Sequence, residues 1–416
     1  MTVEVVTFGC RLNALESAHM QQRAAEAGLD DAILINTCAV TGEALRQARQ
    51  AIRRARRDHP LAPIVVAGCA AQIDPAGFAA MPEANRVLGN AEKLTAESYV
   101  PGGEKVRVGN IMALRSNAGS RPIAISGHTR AFVEIQNGCD HRCTFCVIPF
   151  GRGNSRSVPP AAIVDHVRTL VEQGYAEVVL TGVDITAYGN DLAGAATLGT
   201  LVLAILRQVP SLARLRLTSI DSIEVDAALM RAIAEEPRLM PHFHLSLQHG
   251  DDLILKRMKR RHSRADAIRF TDAVRRLRPD AAFSADLIAG FPTETEAMAA
   301  GSASLVDECG LTTVHVFPFS PRPGTPAARM PQLPGQAIHE RAARLREKGR
   351  AAFAAHLARE QGAVRRLLVE NGGIGRTEQF TPAAINARPG AFIDARITGS
   401  TERGLIATPL AATEAA

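Results

Sequence analysis

The chain has 416 residues, 46% of them hydrophobic and 22% charged, with 48 Lys plus Arg against 42 Asp plus Glu. That length predicts several domains rather than one small module, and the composition excludes a disordered chain. No run approaches the roughly 18 apolar residues of a transmembrane helix, and MTVEVVTFGC reads as a strand rather than a signal peptide, so the expected location is cytoplasmic. The net charge of +6 permits a polyanionic partner without requiring one.

In chain order, residues 1–70 read as strand (3–8), helix (13–28), strand (32–36), helix (43–57) and strand (63–67). This alternation predicts a parallel sheet covered by helices. Each strand runs into a cysteine: Cys10 in FGC, Cys38 in NTC and Cys69 in AGC. Ligands of such sheets bind beyond the carboxyl ends of the strands, so three cysteines far apart in sequence can converge there. Three unrelated core cysteines are the alternative. The helix after Cys38 carries Arg46, Arg49, Arg53, Arg56 and Arg57 at helical spacing, a stripe suited either to phosphates or to plain solvation.

After the strand-like run 132–135 comes NGCDHRCTFC, with Cys139, Cys143 and Cys146 spaced C-x3-C-x2-C. Three thiolates on one loop can hold three irons of a four-iron cluster and leave the fourth open, while zinc bound by these three and His141 is the competing reading. Further strand signals at 177–180, 214–218, 242–247, 282–288 and 313–317 give six βα units, too few for a closed eight-stranded barrel, so a partial barrel is expected with its functional groups at the carboxyl ends of the strands. A second basic run spans Lys256 to Arg264, and Cys309 stands alone as a buried structural thiol. The last fifty or so residues, with GRTEQFTP and AFIDARITGSTERGLIATPL, alternate apolar and polar residues as short strands do. Seven cysteines in a reducing compartment argue against a disulfide framework.

The Cys139–Cys146 motif resembles the signature of the radical S-adenosylmethionine superfamily. The resemblance implies a cluster whose open iron chelates the methionine moiety, and reductive cleavage to a 5′-deoxyadenosyl radical. It also places Phe145 near the cofactor, although that ring could equally be core. TGVDITAYG resembles the segment that meets the methionine amino group, which implicates Gly182 and Asp184; LRLTSIDS resembles a ribose-binding segment, which implicates Ser219 and Asp221. Either acid could instead be a satisfied strand-end carboxylate. TFGCRLNALES, INTCAVT and AGCAAQ are similar to the three cysteine motifs of the methylthiotransferases, which implies a second four-iron cluster on Cys10, Cys38 and Cys69.

The family resemblance implies an N-terminal domain over 1–120, a radical core of TIM-like (β/α)6 form over 125–355, and a TRAM-like RNA-binding β-barrel over 360–416, with a structural cap as the alternative for the last. GCRLN with Glu16 and Ser17, together with VFPFSPRPGTPA, looks most like the MtaB type, which methylthiolates N6-threonylcarbamoyladenosine beside the tRNA anticodon at C2; the isopentenyladenosine enzymes usually read GCQMN. The implied cofactors are two 4Fe-4S clusters and S-adenosylmethionine, and the implied partners are tRNA and a reducing protein such as flavodoxin. The sequence does not name the sulfur source. Methylthiolation of isopentenyladenosine or of a ribosomal-protein aspartate, and a non-catalytic metal-stabilised RNA-binding protein, stay open.

Overall fold

A computed structural model describes residues 3–117, 123 and 129–410. Residues 4–107 form a five-stranded parallel sheet in the order β1 (Glu4–Thr7), β2 (Ile33–Thr37), β3 (Ile64–Gly68), β4 (Arg86–Leu88) and β5 (Val106–Arg107). The sequence pattern predicts the first three strands and the helices α1 (Arg11–Glu26) and α2 (Gly42–Asp58) within two residues at each end. It does not show β4 and β5, which are too short to carry a period. Every residue of β2 and β3 is buried, as expected for a parallel sheet covered on both faces. Ile33, Ile35, Ile64 and Val66 pack on Ile52 of α2. Leu34, Val65 and Ala67 on the opposite face pack on Met20 and Ala24 of α1.

The central region is an open arc of six parallel strands, Arg130–Glu134, Glu177–Thr181, Arg214–Ile220, His242–Gln248, Ala282–Ala289 and Leu311–Pro318. The third strand breaks at Thr218: Arg214–Leu217 pairs with the second strand and Ser219–Ile220 with the fourth. The first and last strands do not pair, leaving the arc open laterally, in agreement with a (β/α)6 partial barrel. Cys309 lies fully in the core of this unit.

A 25-residue helix, Gly335–Arg359, leads to a closed five-stranded barrel of Val364–Glu370, Ile374–Arg376, Pro382–Ala384, Gly404–Pro409 and Phe392–Thr401. This small barrel docks on the amino-terminal end of the arc. Arg214 donates to the carbonyls of Arg366 and Arg376, and Arg216 to those of Thr377 and Glu378. The Phe380 ring enters the same end, with the guanidinium carbons of Arg130, Arg216 and Arg376 within 5.0 Å of its centre. Buried Glu177 offsets this positive charge, lying 3.0 Å from Arg130 and 2.9 Å from Arg216. The β module therefore covers the amino-terminal end of the arc.

Candidate functional site

Cys38 and Cys69 follow directly on the carboxyl ends of β2 and β3 and Cys10 comes three residues past the end of β1, and the parallel order of those strands sets them side by side. Cys10 caps α1 and is exposed, whereas Cys38 and Cys69 are buried. The approach is so close that position 9 has to be glycine: φ is +101°, and a Cβ there would lie 2.9 Å from the Cys38 sulfur. Gly68 is constrained in the same way, with φ of +100° and the Thr37 carbonyl 2.4 Å from a Cβ. The Val40 N–H points at the Cys38 sulfur (3.5 Å) and the Asn90 amide at that of Cys69 (3.6 Å). Burial, with the neighbouring Cys69 and Cys10 sulfurs, pushes the Cys38 thiol up to about 11. Three crowded thiols with N–H donors aimed at sulfur fit a metal cluster, because metal binding supplies the charge that stabilises the thiolates.

Cys139, Cys143 and Cys146 sit on the loop after the first strand of the arc and face one cavity of about 160 Å³. Gln136 holds this loop: its amide donates to the Gly138 carbonyl and Ser155, and its Oε1 accepts from the N–H groups of Val183 and Asp184. Phe145, Asp184, Ser219 and Asp221 all line the cavity. Gly182 does not; it packs against Gln136, whose carbonyl would lie 2.7 Å from an added Cβ. Both acids already have partners. Asp184 lies 3.0 Å from His141 Nε2, and bonds to Asp184 and Glu224 raise that imidazole to about 10. His141, Asp184 and Cys139 could together hold an ion. Burial opposes ionisation of Asp221, but His262, Arg260 and Arg261 outweigh it and lower its carboxyl to about 2. Phe145 faces the cavity and also touches the Phe291–Phe319 core.

Sequence reasoning passes over Arg260. Its guanidinium is 3.8 Å from the Cys143 sulfur and bonds Asp221 (2.8 Å) and the Ser246 carbonyl (2.7 Å). The signal is the run Lys256–Arg264, in which Arg257, Arg260 and Arg264 bond inward, Arg261 pairs with Glu224 while staying exposed, and Lys256 and Lys259 are exposed. The stripe on α2 also divides: Arg49 pairs with Asp74, Arg56 caps backbone carbonyls, Arg46 pairs with Glu43, and Arg53 and Arg57 remain exposed.

The two cysteine loops meet. A second cavity of about 160 Å³ is lined by Val40 and Thr41 from the Cys38 loop and by Phe145 from the Cys146 loop, with Ile288, Phe317 and Phe319 as apolar walls. It shares Phe145 and Gln248 with the first cavity. Beneath, a buried ionic network ties the two domains: Arg152 bonds both oxygens of Glu16 and the Asn13 side chain, and Lys93 bonds Glu16 at 2.7 Å. Asn13 in turn donates to the Phe8 and Thr37 carbonyls, each close to a cysteine.

Residues 133–306 match the radical SAM superfamily and residues 2–89 the uncharacterized protein family UPF0004. The chain is 48% identical over 383 residues to the threonylcarbamoyladenosine tRNA methylthiotransferase MtaB of Rickettsia prowazekii, covering 92% of this chain and 91% of that protein. The chain belongs to the radical SAM methylthiotransferase family. Another member, the tRNA-2-methylthio-N(6)-dimethylallyladenosine synthase of Cereibacter sphaeroides, is 32% identical over 95% of both chains. Among solved structures, the radical S-adenosylmethionine methyltransferase TsrM from Kitasatospora setae superposes with a TM-score of 0.52 at 17% identity, over 74% of this chain and 68% of that one, a likeness of fold. Radical SAM methylthiotransferases use S-adenosylmethionine and two four-iron clusters, and this chain carries two thiol triplets that fit them. No helix among the described residues is long and apolar enough to cross a membrane.

Proposed function

We propose that this enzyme inserts sulfur and a methyl group at C2 of N6-threonylcarbamoyladenosine next to the tRNA anticodon. The observation that carries the reading is the cavity shared by the two cysteine loops, because insertion of sulfur into a C–H bond requires the hydrogen-abstracting and sulfur-donating groups to address one carbon. Cys139, Cys143 and Cys146 would hold one cluster and Cys10, Cys38 and Cys69 the other, each with one iron free of protein ligands. When bound, these clusters and S-adenosylmethionine supply the radical, the methyl group and the sulfur.

The protein's own groups orient and exclude. The apolar walls Ile288, Phe317 and Phe319 make a slot suited to a flipped purine. Phe145, shared by both cavities, would separate cofactor from base. Arg260 would neutralise charge beside Cys143 and hold Asp221 for a cofactor hydroxyl, and Val40 and Asn90 would donate to sulfur on the other side. Gly182 would serve by letting the Asp184 loop close on Gln136. Exposed Arg53 and Arg57 on α2 and the β module would meet tRNA phosphates, and a flavodoxin-like donor would supply electrons in the cytoplasm.

The substrate assignment follows the higher identity to the threonylcarbamoyladenosine enzyme, 48% against 32% for the dimethylallyladenosine enzyme. The test is anaerobic reconstitution followed by turnover with tRNA bearing N6-threonylcarbamoyladenosine. About eight irons per chain and a methylthio product are expected. About four irons, or zinc without sulfide, would overturn the two-cluster reading.

A further inference from the structure

Below the slot lies a second floor of the same barrel. It is a cavity of about 300 Å³ at the lateral opening, between the arc, the first residue of α1 and the β module, and it is lined by Arg11, Arg376, His242, His244, Ser284 and His315 among others. No carboxylate among the described residues lines it. The two floors are joined by side chains. Asp286, in the slot, lies 3.1 Å from His244 Nε2; His244 Nδ1 lies 2.9 Å from Ser284 Oγ, which is 3.1 Å from His242 Nε2. Ser284 and Asp286 point to the same face of their strand, about 7 Å apart along it.

The cation at the cavity mouth has no counter-ion among the described residues. Arg11 lies 5.5 Å from the Phe380 ring centre and has no hydrogen bond or ion pair to any described residue. Arg376 is partly occupied, with its Nε 3.5 Å from Glu370 and its NH1 3.4 Å from the Phe380 carbonyl. Arg11 also follows Cys10 directly, which places it beside the thiol triplet.

We propose that this cavity receives the acidic substituent on N6 of the target base, and that Arg11 pairs with its carboxylate. The inference rests on the function proposed above and sharpens it. A threonylcarbamoyl group brings a carboxylate, a hydroxyl and a urea, each of which finds a complement among a guanidinium, imidazoles and a serine hydroxyl. A dimethylallyl group brings only hydrocarbon and would leave these polar groups without partners, which sites built for polar groups reject strongly. With C2 of the base in the slot, the N6 substituent extends to the lower floor, so one cavity reads the base and the other its modification.

The experiment measures binding of the full-length reconstituted protein to two anticodon stem-loops, one with N6-threonylcarbamoyladenosine and one with unmodified adenosine at the same position. The wild-type protein is expected to prefer the modified hairpin. Arg11→Gln should reduce that preference roughly tenfold or more, the effect of removing one charge-assisted contact, and Arg11→Lys should retain most of it. Iron content identifies any Arg11 variant that has lost its cluster, in which case His315→Leu and Ser284→Val, both remote from the thiols in sequence, should show the same loss of preference. An unchanged preference in Arg11→Gln with full iron, or in both of the other variants, overturns the pocket. Equal wild-type binding to the two hairpins also overturns it, and turnover on the modified tRNA then reports separately whether the proposed reaction stands.

Discussion

Replacing Glu16 with glutamine removes the carboxylate that bonds both cations of a fully buried network. Arg152 and Lys93 would be left as two cations with side-chain exposures of 2% and 0% and no carboxylate between them. Despite burial, these partners hold the Glu16 carboxyl at about 2, against an ordinary value of 4.5. That displacement corresponds to about 3 kcal/mol of stability, at the lower end of the roughly 3–5 kcal/mol seen when one partner of a buried pair is deleted. Spread over a unit of some 150–250 residues, the loss lowers the apparent melting temperature by about 6–12 °C. Because the carboxyl is depressed in the folded state, its contribution is complete above about 4.5 and disappears as pH falls toward about 2. Wild type and Glu16→Gln should therefore differ most near neutrality and converge in acid. Paired melts at pH 7 and pH 3 check this. A difference under about 2 °C at pH 7, or one that grows on acidification, would refute the reasoning.

Three further outcomes follow from the geometry. Gly9→Ala puts a methyl 2.9 Å from the Cys38 sulfur at a backbone angle that only glycine adopts easily, so it should lose about half of the reconstituted iron while the Cys139 triplet keeps its share; iron and sulfide assays measure it. Cys143→Ala should abolish formation of 5′-deoxyadenosine, whereas Cys69→Ala should leave it measurable yet give no methylthio product. Glu177→Gln strips the charge that holds Arg130 and Arg216 against the β module, so the C-terminal barrel should become susceptible to limited proteolysis at lower denaturant than in the wild type, with an expected cost of about 3 kcal/mol or more.

Much of the site was legible because its key residues lie at predictable points of the chain. A cysteine just past a parallel strand needs only the topology to find its partners, which is why Cys10, Cys38 and Cys69 could be grouped across sixty residues. The C-x3-C-x2-C loop is local and carries its own meaning. What joins the sites was not legible. Glu16 meets Lys93 and Arg152 across 77 and 136 positions, and no period in the sequence pairs them. Helical spacing found the arginines of α2 but could not say that Arg56 turns inward onto carbonyls while Arg53 faces solvent, since the outcome depends on the neighbouring loop. The same holds for Arg260, which belongs to a run that reads as a charged surface. Phe380, with φ of +67° and a ring surrounded by guanidinium groups, is the least predictable, because its environment is assembled from three domains.

The most direct test compares nucleosides by mass spectrometry in tRNA from cells with and without the gene. Loss of 2-methylthio-N6-threonylcarbamoyladenosine, with the unthiolated nucleoside accumulating in its place and restoration by the wild-type gene but not by one encoding Cys69→Ala, is the result predicted. Persistence of the methylthio nucleoside at its normal level in the deletion strain would contradict the account.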